Sequence, residues 1–231
     1  MRLLDRVAII TGGGRGIGRA IALAFAREGA KVVICSRTWV EVEKVAAELK
    51  RFGGEALPVV ADVTDEESVS SLVGRTQERF GRVDLLVNNA GVWLPGDLQG
   101  YSLADWETTM AANLRGVFLC TRAVFGPMRE GGGGKIINIS SIRGKEGYPG
   151  MAAYCASKFG VIGFTQALAE EWEPFNIKVN AVCPGPVDTA FAEGAARDEI
   201  RILPEDVADL VVFLASDEAD YISGEAITVA K

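Results

Sequence analysis

Tyr154 and Lys158 stand four residues apart in GMAAYCASKFG, residues 150–160, where most other side chains are small. In a helix, residues at that spacing share a face. A phenol titrates near pH ~10, and a neighbouring cation favours its ionised form. The pair is thus a candidate proton donor and acceptor. An aromatic–basic surface pair is the other reading of the same spacing. Histidine cannot share the work, because the 231 residues contain none. That excludes Ser-His-Asp hydrolases, Cys-His proteases and His-ligated metal sites.

A second chemical signal lies near the start, in TGGGRGIG, residues 11–18. It fits neither G-x-G-x-x-G nor the P-loop. Its spacing is Gly12-x-x-x-Gly16-x-Gly18. Glycines there permit a tight turn and close backbone approach, and a helix beginning at the turn offers free N–H groups to a pyrophosphate. A plain strand–helix turn is the alternative. After the next apolar run the chain reads CSRT. Ser36 stands where an acidic residue would bind a ribose 2′-hydroxyl, and Arg37 follows it. With Arg15 in the glycine turn, two guanidiniums are available to a 2′-phosphate. This predicts NADP(H) over NAD(H), unless both arginines are solvated surface charges.

The elements that must position these residues follow from apolar periodicity. Strands are expected at 6–11, 31–35, 55–63, 83–91, within 131–141, at 177–185 and at 225–230. Helices are expected at 16–29, from about 39 to 52, at 64–81 with Thr64 as cap, from about 103 to 129, at 152–173 and at 204–216. Apolar strands alternating with helices predict an α/β, doubly wound, Rossmann-like fold. Its seven-stranded parallel sheet would carry helices on both faces, in a single domain over 1–231.

Composition narrows the partners. The chain is 48% apolar with a net charge of −7, from 24 basic and 31 acidic residues. Nucleic acid, which needs a basic footprint, is not an expected partner. No apolar run reaches the length of a membrane span, and the start lacks the pattern of a signal peptide, so no membrane association and a cytoplasmic location are expected. Cys35, Cys120, Cys155 and Cys183 lie far apart, which supports neither a zinc site nor a disulfide framework; no metal is expected.

Taken in order, TGGGRGIG, DV at 62–63, NNAG at 88–91, Asn113, ISS at 139–141, YCASK at 154–158 and PGPVDT at 184–189 resemble the short-chain dehydrogenase/reductases over nearly the whole length. Within that family the look is nearest to 3-oxoacyl-carrier-protein reductases. The resemblance implies reversible reduction of a ketone, aldehyde or 3-oxoacyl group, with Tyr154 as general acid or base. Lys158 would hold the nicotinamide ribose and lower the pKa of Tyr154. Ser141 would bond the substrate oxygen, with Ser140 as the adjacent alternative, and Asn113 would complete a proton relay through a water. Gly12, Gly14, Arg15, Gly16, Ile17 and Gly18 would form the pyrophosphate turn, and Ser36 and Arg37 the adenosine end. Asp62 and Val63 would contact adenine. Asn89, with Ala90 and Gly91, would meet the ribose region. Pro184 and Gly185 lead to Val187 and Thr189, which would hold the carboxamide.

The resemblance also implies a homodimer or homotetramer. The segment between Thr189 and Pro204 is shorter than the helical lid common in relatives, suggesting an open pocket or one completed by a partner subunit. Only Arg129 and Lys135 supply positive charge in REGGGGK, where carrier-protein reductases can carry a basic patch. Trp93, Leu94, Tyr148 and Phe191 are candidate pocket walls. A non-catalytic dinucleotide-binding module and a methyltransferase are the competing functions, but neither needs the tyrosine–lysine pair.

Overall fold

The computed structural model describes residues 1–51, 53–189 and 202–231. Seven strands form one parallel sheet: β1 (Val7–Thr11), β2 (Lys31–Ser36), β3 (Ala56–Val60), β4 (Leu85–Asn88), β5 (Gly134–Ile139), β6 (Ile177–Pro184) and β7 (Ala226–Val229). Their order is β3-β2-β1-β4-β5-β6-β7. The order reverses between β1 and β4, so the chains leaving these neighbours pass to opposite faces. A crevice opens there at the carboxyl ends, the usual ligand site of such sheets.

Successive strand residues point to opposite faces, and β1 divides accordingly. Ala8 and Ile10 join a buried cluster with helices α1 (Gly16–Arg27), α2 (Trp39–Arg51) and α7 (Pro204–Ala215). Ile9 joins a second cluster with α3 (Glu66–Phe80), α5 (Gly116–Glu130) and α6 (Ala152–Glu171). Both faces are therefore covered, and the strands read as continuous apolar runs for that reason.

Two local features differ from the periodicity reading. Asp65, rather than Thr64, caps α3 by accepting from the Ser68 N–H at 2.6 Å. Thr64 instead donates both its N–H and its hydroxyl to Asp62 Oδ1, at 2.9 and 2.8 Å. The continuous helix expected from 103 to 129 is α4 (Leu103–Met110) and α5 separated by a five-residue π turn, Ala111–Arg115. Periodicity cannot register the widened turn, because its ends keep helical dihedrals. The glycines at 131–133 precede β5, which starts at Gly134.

The glycine turn joins β1 to α1 with almost no spare room. Gly12 has φ +61°, open to glycine at little cost. A Cβ on Gly18 would lie 2.3 Å from the Gly12 carbonyl oxygen and 2.5 Å from Asn89 Nδ2. Gly18→Ala must therefore push the turn off α1. We expect it to lower the melting temperature by about 5 °C in scanning calorimetry, the range for overpacking a chain of this size. An unchanged melting curve would show that the turn relaxes freely.

Candidate active site

A cleft of about 780 Å³ runs along the carboxyl ends of the strands. Its near end is built by the glycine turn. Gly12, Arg15, Gly16 and Ile17 line it, while Gly14 packs against Glu41 and Gly18 lies beneath Gly12. Arg15 is the N-cap of α1 in extended backbone, and no side chain caps the helix. The first N–H groups of α1 are thus left for an outside acceptor, and the helix dipole favours an anion there.

Thr11 holds this turn to β4. Its Oγ1 accepts from the N–H groups of Asn89 and Ala90, at 2.9 and 3.0 Å. Asn89 Nδ2 returns bonds to the carbonyls of Thr11 and Gly12, at 3.0 and 3.1 Å. Asn89, Ala90 and Gly91 line the cleft as a result. Motif reading passed over Thr11; its one sequence signal is a buried-strand position followed at once by glycines.

Ser36, Arg37, Asp62 and Val63 line the same end. Ser36 Oγ is occupied in a local turn, accepting from the Thr38 N–H and donating to its carbonyl. Partial burial raises the Asp62 carboxyl, but the two bonds from Thr64 and the charges of Arg37 and Arg115 outweigh it, and the net effect holds the carboxyl below its ordinary range. Glu41 also faces this end, and the sequence reading did not single it out. Uncapped N–H groups, positive-φ glycines, exposed guanidiniums and an ionised carboxylate match the diphosphate and adenosine of a dinucleotide.

At the other end the tyrosine and lysine come together with Ser141. Tyr154 and Lys158 both lie on α6, whose first turns face the cleft. Tyr154 and Ser141 line the cleft together, and Ser141 Oγ accepts from the Arg143 N–H at 3.1 Å. Ser140 is used differently: its hydroxyl donates to the Lys158 carbonyl at 2.9 Å. Lys158 Nζ donates to the Ile139 carbonyl at 2.8 Å and sits 5.7 Å from the centre of the Tyr154 ring.

Burial sets the charges of this end. It pushes the Tyr154 phenol up to about 12, with the influence of the Ser141 hydroxyl working against it. It brings the buried Lys158 ammonium down to about 8. The sequence leads one to expect Lys158 to lower the phenol; here desolvation moves the phenol the other way, and the ammonium donates to the Ile139 carbonyl rather than to the phenol.

Asn113 lies behind the cleft, fully buried on the π turn. Its Oδ1 accepts from the Val92 N–H at 2.7 Å, and its Nδ2 donates to the Val92 carbonyl and to Ser157 Oγ, at 3.0 and 3.1 Å. Ser157 in turn donates to the Tyr154 carbonyl at 2.7 Å. The Asn113 side chain therefore splices the loop after β4 to α6, and Ser157, passed over in the sequence, completes the splice. Pro184, Gly185, Val187 and Thr189 line the cleft beyond β6. Trp93 and Tyr148 line it as well, Leu94 does not, and Phe191 is outside the described residues.

Comparison with known proteins accords with this architecture. The chain is 42% identical to a 3-oxoacyl-acyl-carrier-protein reductase of Synechocystis, covering 98% of this chain and 96% of that protein. It is 38% identical to the corresponding reductase of Thermotoga maritima, over 99% and 98% of the two chains. A solved 7α-hydroxysteroid dehydrogenase, complexed with NADH and 7-oxo glycochenodeoxycholic acid, superposes with a TM-score of 0.95 at 31% identity, covering 99% of this chain and 94% of that one. With the short chain dehydrogenase family model matching residues 6–200 as well, the chain belongs to that family of oxidoreductases acting on CH–OH and carbonyl groups.

Proposed function

We propose that the chain is an NADPH-dependent reductase of a ketone, aldehyde or 3-oxoacyl group, working reversibly, with Tyr154 as the proton donor. The observation that carries this reading is the convergence of Ser141, Tyr154 and Lys158 at the head of the cleft, with the buried Lys158 ammonium 5.7 Å from the centre of the Tyr154 ring. The glycine turn, Arg15, Ser36, Arg37 and Asp62 would hold the dinucleotide at one end, and Lys158, Val187 and Thr189 its nicotinamide half at the other. Bound there, NADPH supplies the hydride.

The chain's own groups do the rest. Ser141 and Tyr154 offer two hydroxyl donors to one carbonyl oxygen, which polarises it and holds it still. A phenol at about 12 keeps its proton throughout the neutral range, so Tyr154 meets the substrate as an acid. As negative charge builds on the oxygen, the proton passes from Tyr154 Oη to it, and the alcohol forms. The phenolate left behind faces the Lys158 ammonium across low-dielectric surroundings, where the attraction is strong. Oxidation of an alcohol runs the proton the other way, into the phenolate.

Arg15 and Arg37 support the preference for the phosphorylated dinucleotide, since guanidiniums pair with a 2′-phosphate through two parallel bonds. A thioester on an acidic carrier protein has thinner support: Lys135 already pairs with Asp220 at 2.6 Å, and Arg129 lies over the Phe125 ring. Exposed Phe118 on α5 and Phe159 on α6 support assembly into a homodimer or homotetramer through those helices. Among the described residues no helix is long and apolar enough to cross a membrane.

Loss of NADPH absorbance with ketones, aldehydes and an acetoacetyl thioester, with NADH in parallel, tests the reading directly. Tyr154→Phe should lower kcat by about a thousandfold, the scale of a lost general acid, while NADPH binding by fluorescence stays within about threefold. Retained turnover would remove Tyr154 from the reaction. Arg37→Gln should weaken NADPH about tenfold and NADH much less. Wild-type protein that binds NADH more tightly would overturn the cofactor preference.

Lys158 also makes a prediction for stability. Its folded value of about 8 lies below its ordinary 10.5. Below pH 8 the ammonium is charged in both states, and its burial opposes folding by about 3 kcal/mol. Between the two values the unfolded chain binds more protons, so stability rises with pH. Lys158→Met should therefore melt above wild type at pH 7, and the gap should close towards pH 10. A gap independent of pH would show that Lys158 keeps an ordinary pKa in the fold.

A further inference from the structure

The substrate end of the cleft carries one cation that the proposed reaction does not use. Arg143 follows Ser141 by two residues, in the short turn Ile142–Gly144, and lines the cleft with Tyr148, Met151 and Trp93. The turn that seats the Ser141 hydroxyl, through the Arg143 N–H, thus also launches the arginine side chain. The guanidinium lies 4.1 Å from the centre of the Tyr148 ring and donates to Glu146 Oε1 at 2.9 Å. The Arg143 side chain is 17% exposed, that of Glu146 63%.

Among the described lining residues the other charges have places elsewhere. Arg15, Arg37, Glu41 and Asp62 stand at the nucleotide end, and Lys158 is bonded to Ile139. No described acid lines the cleft beside Arg143. Trp93, in the same wall, buries its indole N–H without an acceptor among the described residues. The substrate end therefore presents donors in excess of acceptors. A guanidinium stacked on an aromatic face has little freedom left to lose, and its planar fork matches a carboxylate. Its present partner is an exposed carboxylate three residues on, the kind of pair that contributes little in water.

We propose that Arg143 is a specificity-determining residue that selects carbonyl and alcohol substrates bearing a carboxylate, the incoming carboxylate displacing Glu146 from the guanidinium. The proposal rests on the reductase reading and names its substrate class. No bond is made or broken at Arg143; one ion pair is exchanged for another.

The test compares acetoacetate, levulinate and 5-oxohexanoate with their primary amides, using NADPH and the full chain. Wild type should favour at least one acid over its amide by about tenfold or more in kcat/KM, the scale of a charge-assisted bidentate pair. Arg143→Gln should bring that ratio to about one, and Glu146→Gln should raise it by freeing the guanidinium. A ratio near one in wild type, or one that survives Arg143→Gln, overturns the proposal while leaving the reductase reading intact. Calorimetric titration of each acid and amide into the NADP⁺-loaded protein reads the same preference without turnover. Tighter binding of the acid, lost in Arg143→Gln and strengthened in Glu146→Gln, supports the carboxylate site even where no carbonyl is reduced. That pattern of binding without reduction would count against the reductase reading alone. Equal binding of acid and amide by wild type counts against the proposal itself.

Discussion

Two parallel neighbours, β1 and β4, send their chains to opposite faces of the sheet, and something must hold their parted ends at a fixed distance. The Thr11 hydroxyl does this. It donates to the Val87 carbonyl and takes the N–H groups of Asn89 and Ala90, so one buried side chain links the last residue of β1 to both ends of the turn that leaves β4. Asn89 answers from the other side by binding two carbonyls of the glycine turn. The Thr11 side chain is buried, and leaving its hydroxyl unpaired there would cost more than the bond is worth in solvent. The floor of the cleft, and with it the relation of its two ends, depends on this join.

The second end is set by a longer polar chain through the sheet. Asn88 on β4 donates to Thr121 on α5 and to Asn138 on β5, and Asn138 donates to Thr165 on α6, all at 2.9 to 3.0 Å. The same helix is held again by Ser140 on the Lys158 carbonyl and by Asn113 through Ser157. Helix α6 thus has its rotation and depth set at several levels, and Tyr154 arrives beside Ser141 without being able to turn away. Such networks in low dielectric rigidify only when every member is paired, and here each named side chain has its partners.

Burial gives this end its electrostatic character. Desolvation keeps the phenol protonated and weakens the hold of Lys158 on its own proton. In the proposed reaction this pairing is used once, when negative charge passes from the substrate oxygen to the phenol beside a cation that is costly to keep charged. Arg143 stands against Tyr148 in the wall of the same cleft.

Much of the fold was legible in the chain. Seven apolar runs separated by helical patterns determine a parallel sheet with both faces covered, because strands buried on both sides leave no polar alternation and helices must return each chain to the same edge. Glycine spacing after β1 marks the turn, and the small residues around Tyr154 allow a helix to lie close to sheet and cleft. Contacts between distant segments were not legible. No local pattern says that Thr11 will meet Asn89, that Asn113 will be spent on Val92 and Ser157, or that a π turn will interrupt the helix carrying it. Nor could spacing foretell the protonation balance of Tyr154 and Lys158, since a nearby charge and the loss of water act in opposite directions and only packing decides which is larger. Local sequence determined which groups exist and which element carries each; the tertiary structure decided their partners and their dielectric, because both belong to neighbours far away along the chain.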